Sequence, residues 1–153
     1  MNQFPTTLPL AMRSGYSINH ISPMVRTDLA SGRARQRRAF TSVPSMVNLQ
    51  WFFTEIEARL FEGWFRDDLG AADGAAWFEL TLRTPLGLQQ YQCRFAEMYR
   101  GPDLVAIDSY QISATVEIVE RPILQPGYAT ILPGFVAQPD IFDRAMNQEW
   151  PAA

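Results

Sequence analysis

The sequence predicts a β-rich α+β fold: an antiparallel β-sandwich or split barrel carrying one packed amphipathic helix, with extended arms at both ends. Three observations predict it. Several segments alternate apolar and polar residues with a period of two, the mark of strands with one buried face. One segment, 54–69, instead repeats its apolar residues at helical spacing. Pro-rich ends lack either period. The expected organisation is an N-terminal arm over 1–24, a β-domain over 25–122 that contains the helix, and a C-terminal arm over 123–153.

The arm over 1–24 is broken by Pro5, Pro9, Gly15 and Pro23 and has room for one short strand near Tyr16 to Ile21. Residues 25–43 read as two strands around Ser31-Gly32, the second placing Arg33, Arg35 and Arg37 on one face and Ala34, Gln36 and Arg38 on the other. In 46–53 a strand points Val47, Leu49, Trp51 and Phe53 to one side. The helix follows. Thr54 and Glu57 form a capping box, Ile56, Leu60, Phe61, Trp64, Phe65 and Leu69 make an apolar stripe, and Gly70 is the expected left-handed stop. Such a stripe predicts that the helix lies across the β-sheet. After a turn at 71–74, strands at 76–83 and 89–97 make a hairpin about Thr84-Pro85-Leu86-Gly87, with Phe78, Leu80, Leu82, Tyr91, Cys93 and Phe95 inward. Residues 99–103, with their Gly-Pro pair, read as a loop. The last strand, 109–120, turns Tyr110, Ile112, Ala114, Val116 and Ile118 inward.

The tail after Pro122 scatters Tyr128, Ile131, Leu132, Phe135, Val136, Ile141, Phe142 and Trp150 among Pro and Gly. No stretch of it has a periodicity that would build a private core. The tail is therefore expected to dock on neighbouring subunits, with Tyr128, Ile131, Leu132, Phe135, Ile141, Phe142 and Trp150 as contact residues. No apolar run approaches the ~20 residues of a membrane helix, and the N-terminus lacks the pattern of a secretory signal, so no membrane partner is expected.

Chemistry is sparse. A lone His20 and a lone Cys93 supply no metal cluster, triad or disulfide, and no phosphate loop, HExxH or GxSxG occurs. The reading is a protein that is not an enzyme and binds no cofactor. All thirteen basic residues are Arg, and the net charge is −3. Arg suits protein contacts because its planar fork pairs two ways and is weakly hydrated. Arg33, Arg35 and Arg37 are thus candidate subunit-interface residues. The alternative is a small nucleic-acid-binding module using the Arg33–Arg38 strand, against which the overall acidity speaks.

The stretch Arg26 to Pro122 resembles the distal tail and minor tail proteins of long-tailed phages, in particular the family of the lambda minor tail protein M. The shared order is an Arg/Gln strand (Ser31-Gly32, then Arg35-Gln36-Arg37), a strand from Val47 to Phe53, a capped aromatic helix from Thr54 to Leu69, a Gly before a Trp/Phe strand (Gly74, Trp77, Phe78), and a long alternating strand with Glu from Ser109 to Glu120. The resemblance implies a tail-tube-like fold and a structural virion protein of a phage tail, assembled in the host cytoplasm. It implies a homo-oligomeric ring, a hexamer, at the distal end of the tail tube, joined to the tail tip or baseplate. Other tail proteins (tube, tip or baseplate hub, tape measure) would be its neighbours, and DNA would only pass through the lumen. The arms before Val25 and after Pro122 look longer than those of compact family members.

Overall fold

The structure is a computed structural model that describes residues 2–137. It falls into two compact units, Met1–Pro122 and Ile123–Ala153.

The first unit is a β-sandwich-like α+β fold built on a seven-stranded sheet that does not close into a barrel. Its strands are β1 (Asn2–Gln3), β2 (Ser17–His20), β5 (Ser45–Thr54), β6 (Phe78–Thr84), β7 (Gly87–Phe95), β8 (Arg100–Ala106) and β9 (Ser109–Ile118). Two further strands, β3 (Met24–Asp28) and β4 (Ala34–Arg38), form a separate two-stranded sheet. The order in the large sheet is β1-β6-β7-β9-β5-β2, and β8 also pairs with β9. Every pair is antiparallel except β1 with β6, which is parallel. The longest ladder joins β5 to β9 over ten residue pairs, from Ser45 opposite Ile118 to Thr54 opposite Ser109.

Alternation decides which way these strands face. Val47, Leu49, Trp51 and Phe53 on β5, and Ile112, Ala114, Val116 and Ile118 on β9, are buried. Phe78, Leu80 and Leu82 on β6 and Cys93 and Phe95 on β7 join them, as their spacing predicts, while Tyr91 and Tyr110 are half-buried. A two-residue turn at Pro85-Leu86 closes the β6–β7 hairpin, with Thr84 opposite Gly87.

The helix α1 (Glu55–Arg66) packs against β5 and β9. Its capping box is formed: Glu57 N–H donates to Thr54 Oγ1 at 3.4 Å, and Thr54 N–H donates to the Glu57 carboxylate at 2.8 Å. Replacing Thr54 by Ala removes an acceptor for an otherwise orphaned amide. Thr54→Ala should cost about 1 kcal/mol of stability in chemical denaturation, and a change within error would show that water serves that amide equally well.

The helix departs from its sequence reading at two points. It stops at Arg66, with Asp67 as its C-cap in an extended conformation, and Gly70 is not left-handed. Gly70 is needed for space instead. A Cβ there would collide with the backbone carbonyl of Trp64, and that carbonyl accepts from Ala71 N–H at 3.2 Å. The buried stripe also lies further round the helix than expected, along Ala58, Phe61 and Phe65 with Trp64 half-buried. Ile56, Leu60 and Leu69 are exposed, at 76%, 43% and 83%.

Phe61 sits at the centre of an aromatic core. Its ring lies within 6.5 Å, centroid to centroid, of Phe4, Trp51, Phe53, Trp64, Phe65, Phe95 and Tyr99. Phe4 reaches this core from the segment expected to be an extended arm. That segment supplies β1 and β2 to the sheet, stacks Phe4 on Trp51 and buries Leu8. Trp64 Nε1–H donates to Gln3 O at 3.0 Å, which ties the helix to β1. A second departure is β8. The Gly-Pro segment read as a loop is a fully exposed strand on β9, interrupted by irregular register.

The second unit, over its described part, holds two short helical segments, α2 (Tyr128–Ile131) and α3 (Pro133–Ala137).

Candidate interaction surface

The strands β3 and β4 form a hairpin carried on the connection between β2 and β5. Met24 pairs with Arg38, Val25 with Arg37, Arg26 with Gln36, Thr27 with Arg35 and Asp28 with Ala34. The turn at Ser31-Gly32 follows the sequence expectation: Gly32 has φ 78, and its N–H donates to Leu29 O at 3.0 Å. All ten strand residues are exposed. A lone two-stranded ribbon with no buried face is marginal in water, so this one lacks the packing that holds the other strands.

Directly opposed residues share a face, so the register sorts the side chains. One face carries Val25 and Thr27 with Arg37 and Arg35. The other carries Met24, Arg26 and Asp28 with Arg38, Gln36 and Ala34. Arg26 pairs with Asp28 at 3.4 Å, whereas Arg33, Arg35, Arg37 and Arg38 have no ion pair among the described residues. Arg33 lies just before β4, where its carbonyl accepts from Leu29 N–H at 3.1 Å. The sequence alternation of Arg35 and Arg37 against Ala34, Gln36 and Arg38 is thus realised, on a ribbon that is wet on both faces.

Of the C-terminal candidates, Tyr128 and Ile131 lie in α2 and Leu132 is its C-cap, all three exposed. Phe135 falls within α3. Ile141, Phe142 and Trp150 lie outside the described residues.

Two exposed apolar surfaces were not anticipated. One is the outer side of α1, with Ile56 and Leu60. The other is the run Leu104, Val105 and Ile107 at the β8–β9 connection, where Ile107 is 92% exposed. A signal for the second exists, since Leu104 to Ile107 is an unbroken apolar run between Asp103 and Asp108.

His20 lies on β2 and Cys93 on β7. His20 Nδ1 lies 2.8 Å from Ser45 Oγ, and loss of hydration together with the nearby Arg121 charge holds its pKa below the ordinary value. Cys93 is fully buried, and burial pushes its thiol up to about 12. Among the described residues no group of three or more His, Cys, Asp or Glu could hold a metal ion. A groove of about 620 Å³ runs between the N-terminal segment and the β6–β7 hairpin and is lined by Leu10, Met12, Tyr16, Arg83 and Leu88 among others. Tyr16 spends its hydroxyl on Arg83 O, at 2.7 Å.

Cys93 carries a pH prediction. Its folded-state pKa lies above the unfolded one, so the stabilisation is complete below the unfolded pKa and is lost as pH rises from about 9 toward 12. Stability should therefore decline in that alkaline window, and Cys93→Ala should flatten the decline. An equal slope in both proteins would assign it to other groups.

No family model, curated protein or solved structure matches the chain.

Proposed function

We propose that this protein is a structural component of a bacteriophage tail, a homo-oligomeric ring at the distal end of the tail tube that connects the tube to the tail tip or baseplate. The observation that carries the reading is the β3–β4 ribbon: an Arg-rich element outside the large sheet, with all ten strand residues exposed. Extending such an element makes sense when another subunit covers it. The order of elements also supports the reading, with a capped aromatic helix laid on a β-sandwich-like sheet and a chain end rich in exposed apolar residues. Identical subunits in head-to-tail contact must close into a ring or continue into a fibre. Six subunits follow from the resemblance to distal tail proteins, with the other tail proteins above and below and DNA passing through the lumen. No catalytic step or cofactor belongs to this role.

Native mass spectrometry should find a closed oligomer of six, alone or with its tail partners. A strict monomer in both settings overturns the reading. The second reading, a small nucleic-acid module, draws on the exposed Arg35, Arg37 and Arg38. It requires duplex binding whose affinity falls steeply with salt and is abolished by Arg35→Glu with Arg37→Glu.

A further inference from the structure

The ribbon and the helix are complementary in charge, in length and in the apolar residues that they leave uncovered. Residues 24–38 carry five Arg and one Asp, a net charge of +4. The rest of the chain is therefore at −7, since the whole is at −3. The acidity is concentrated at α1 and the turn that follows it. Residues 55–73 hold six carboxylates (Glu55, Glu57, Glu62, Asp67, Asp68 and Asp73) against Arg59 and Arg66, a net charge of −4.

The outer side of α1 has the shape of a docking face. Ile56, Leu60 and Gly63 follow one another at i, i+4 and i+7 opposite the buried Ala58, Phe61 and Phe65. Its flank is mixed in charge: Glu55 and Glu62, seven residues apart, share it with Arg59 and Arg66, and Arg59 pairs with Glu55 at 3.1 Å. A Cβ built on Gly63 meets nothing within 4 Å, so the middle of the stripe is open. Glycine weakens a helix interior, and no contact within the domain calls for one here. Five-residue strands extend about 17 Å and a twelve-residue helix about 18 Å, so the ribbon can run along the whole helix. On the ribbon, Val25 and the methyl-bearing Thr27 stand across from Arg37 and Arg35, a small uncharged row beside a cationic one. Its counterpart is an apolar stripe on α1 whose excess of carboxylates lies mainly at the end of the helix, where Asp67, Asp68 and Asp73 supply three of the four net negative charges.

We infer that the β3–β4 ribbon of one copy lies along the outer face of α1 of the next copy, with Val25 and Thr27 against Ile56 and Leu60, and with Arg35 and Arg37 paired to the carboxylates of 55–73. The inference rests on the ring reading for there being a next copy, and it adds which two surfaces meet. The contact is head-to-tail, because ribbon and helix are different surfaces, and an open run of copies keeps one ribbon and one helix face unused, at its two ends, until the cycle closes. The other exposed apolar run, at Leu104 to Ile107, fits the ribbon less well, since residues 100–108 carry a net charge of only −1, one Arg and two Asp, against −4 for 55–73. Nucleic acid fits less well too. The strand residues of the ribbon include no aromatic side chain on which bases could stack, and the body that carries it would repel phosphate.

The test uses the full chain with Thr27→Cys and Leu60→Cys together. The only other thiol, Cys93, is buried and neutral. Mild oxidation should give a ladder of covalent oligomers on a non-reducing gel, ending at the ring number, while either single variant gives none. An internally crosslinked monomer would overturn the inference by placing the ribbon on its own helix. Free thiols in a protein that native mass spectrometry still shows as a ring would overturn this contact and leave the ring reading standing. Free thiols in a strict monomer would overturn both. A charge swap gives a second measurement. Arg35→Glu with Arg37→Glu should weaken assembly at least tenfold, and combining it with Glu62→Arg and Asp68→Arg should recover most of that loss. If the first pair abolishes duplex binding and leaves assembly unchanged, the occupant is nucleic acid and the inference fails.

Discussion

Phe61→Ala should destabilise the domain by about 3–5 kcal/mol, the largest loss expected from any truncation of the helix. Phe61 is fully buried and touches rings from β5, β7, α1 itself and the N-terminal segment, so no single neighbour can move in to fill the space it leaves. The deleted ring takes with it both its transfer free energy and several edge and offset contacts, which add about 0.5–1.5 kcal/mol each beyond area. The midpoint of thermal unfolding should fall by on the order of 10 °C or more. Phe61→Leu keeps much of the volume and should cost far less. Equal losses for the two variants would mean that the ring stacking, rather than the filled volume, dominates. A loss below 1 kcal/mol for Phe61→Ala would show that the core collapses around the gap.

Gly70→Ala should be nearly as damaging, at about 3 kcal/mol, the upper end of what overpacking costs. The added methyl would meet the Trp64 carbonyl, which is backbone and cannot rotate away. The same residue is also held from the other side, where Asn2 Nδ2–H donates to Gly70 O at 2.6 Å. Moving the turn to admit the methyl would disturb both the helix exit and the first strand. Urea denaturation compares the variant with Gly63→Ala, where the new Cβ enters open space and the helix gains propensity. Gly63→Ala should be neutral or stabilising to the folded monomer. A Gly70→Ala protein as stable as the parent would show that the turn at 67–77 relaxes freely.

The pair of glycines marks where reading a sequence stops working. Gly70 follows an amphipathic segment and looks like a helix stop, but its role is a close approach to the Trp64 carbonyl, and the apolar period of the segment does not encode that. The helix start was legible because Thr54 and Glu57 satisfy each other's amides within four residues. The strands β5, β6, β7 and β9 were legible because one face of each is buried, and period two follows directly from that. The helical stripe was legible in period but not in phase. Ala58 is small enough to escape notice as a core residue, while Ile56 and Leu60 have the right chemistry and face outward. The strand β8 was hidden by Gly101-Pro102 and by having no buried face to impose alternation. Of the candidate surface, the alternation of Arg35 and Arg37 and the turn at Ser31-Gly32 were evident. That both faces of the ribbon are uncovered depends on where the rest of the sheet lies, which the segment itself does not record.

The ribbon enters the chain between two residues that are already neighbours, since His20 at the end of β2 is the register partner of Ser45 at the start of β5. Residues 21–44 therefore hang from a point that an ordinary tight turn could close. Shortening that connection lowers the entropic cost of closing it, and of residues 21–44 only Val43 is buried, outside the aromatic cluster. In the language of modular parts, residues 21–44 are a cassette. Their length, charge and sequence can change while the β2–β5 pairing stays as it is. Folding and partner choice then draw on separate sets of residues, so substitutions in the two sets should combine additively. A lineage carrying such a domain could exchange one neighbour for another by rewriting some two dozen residues, with the aromatic core left untouched.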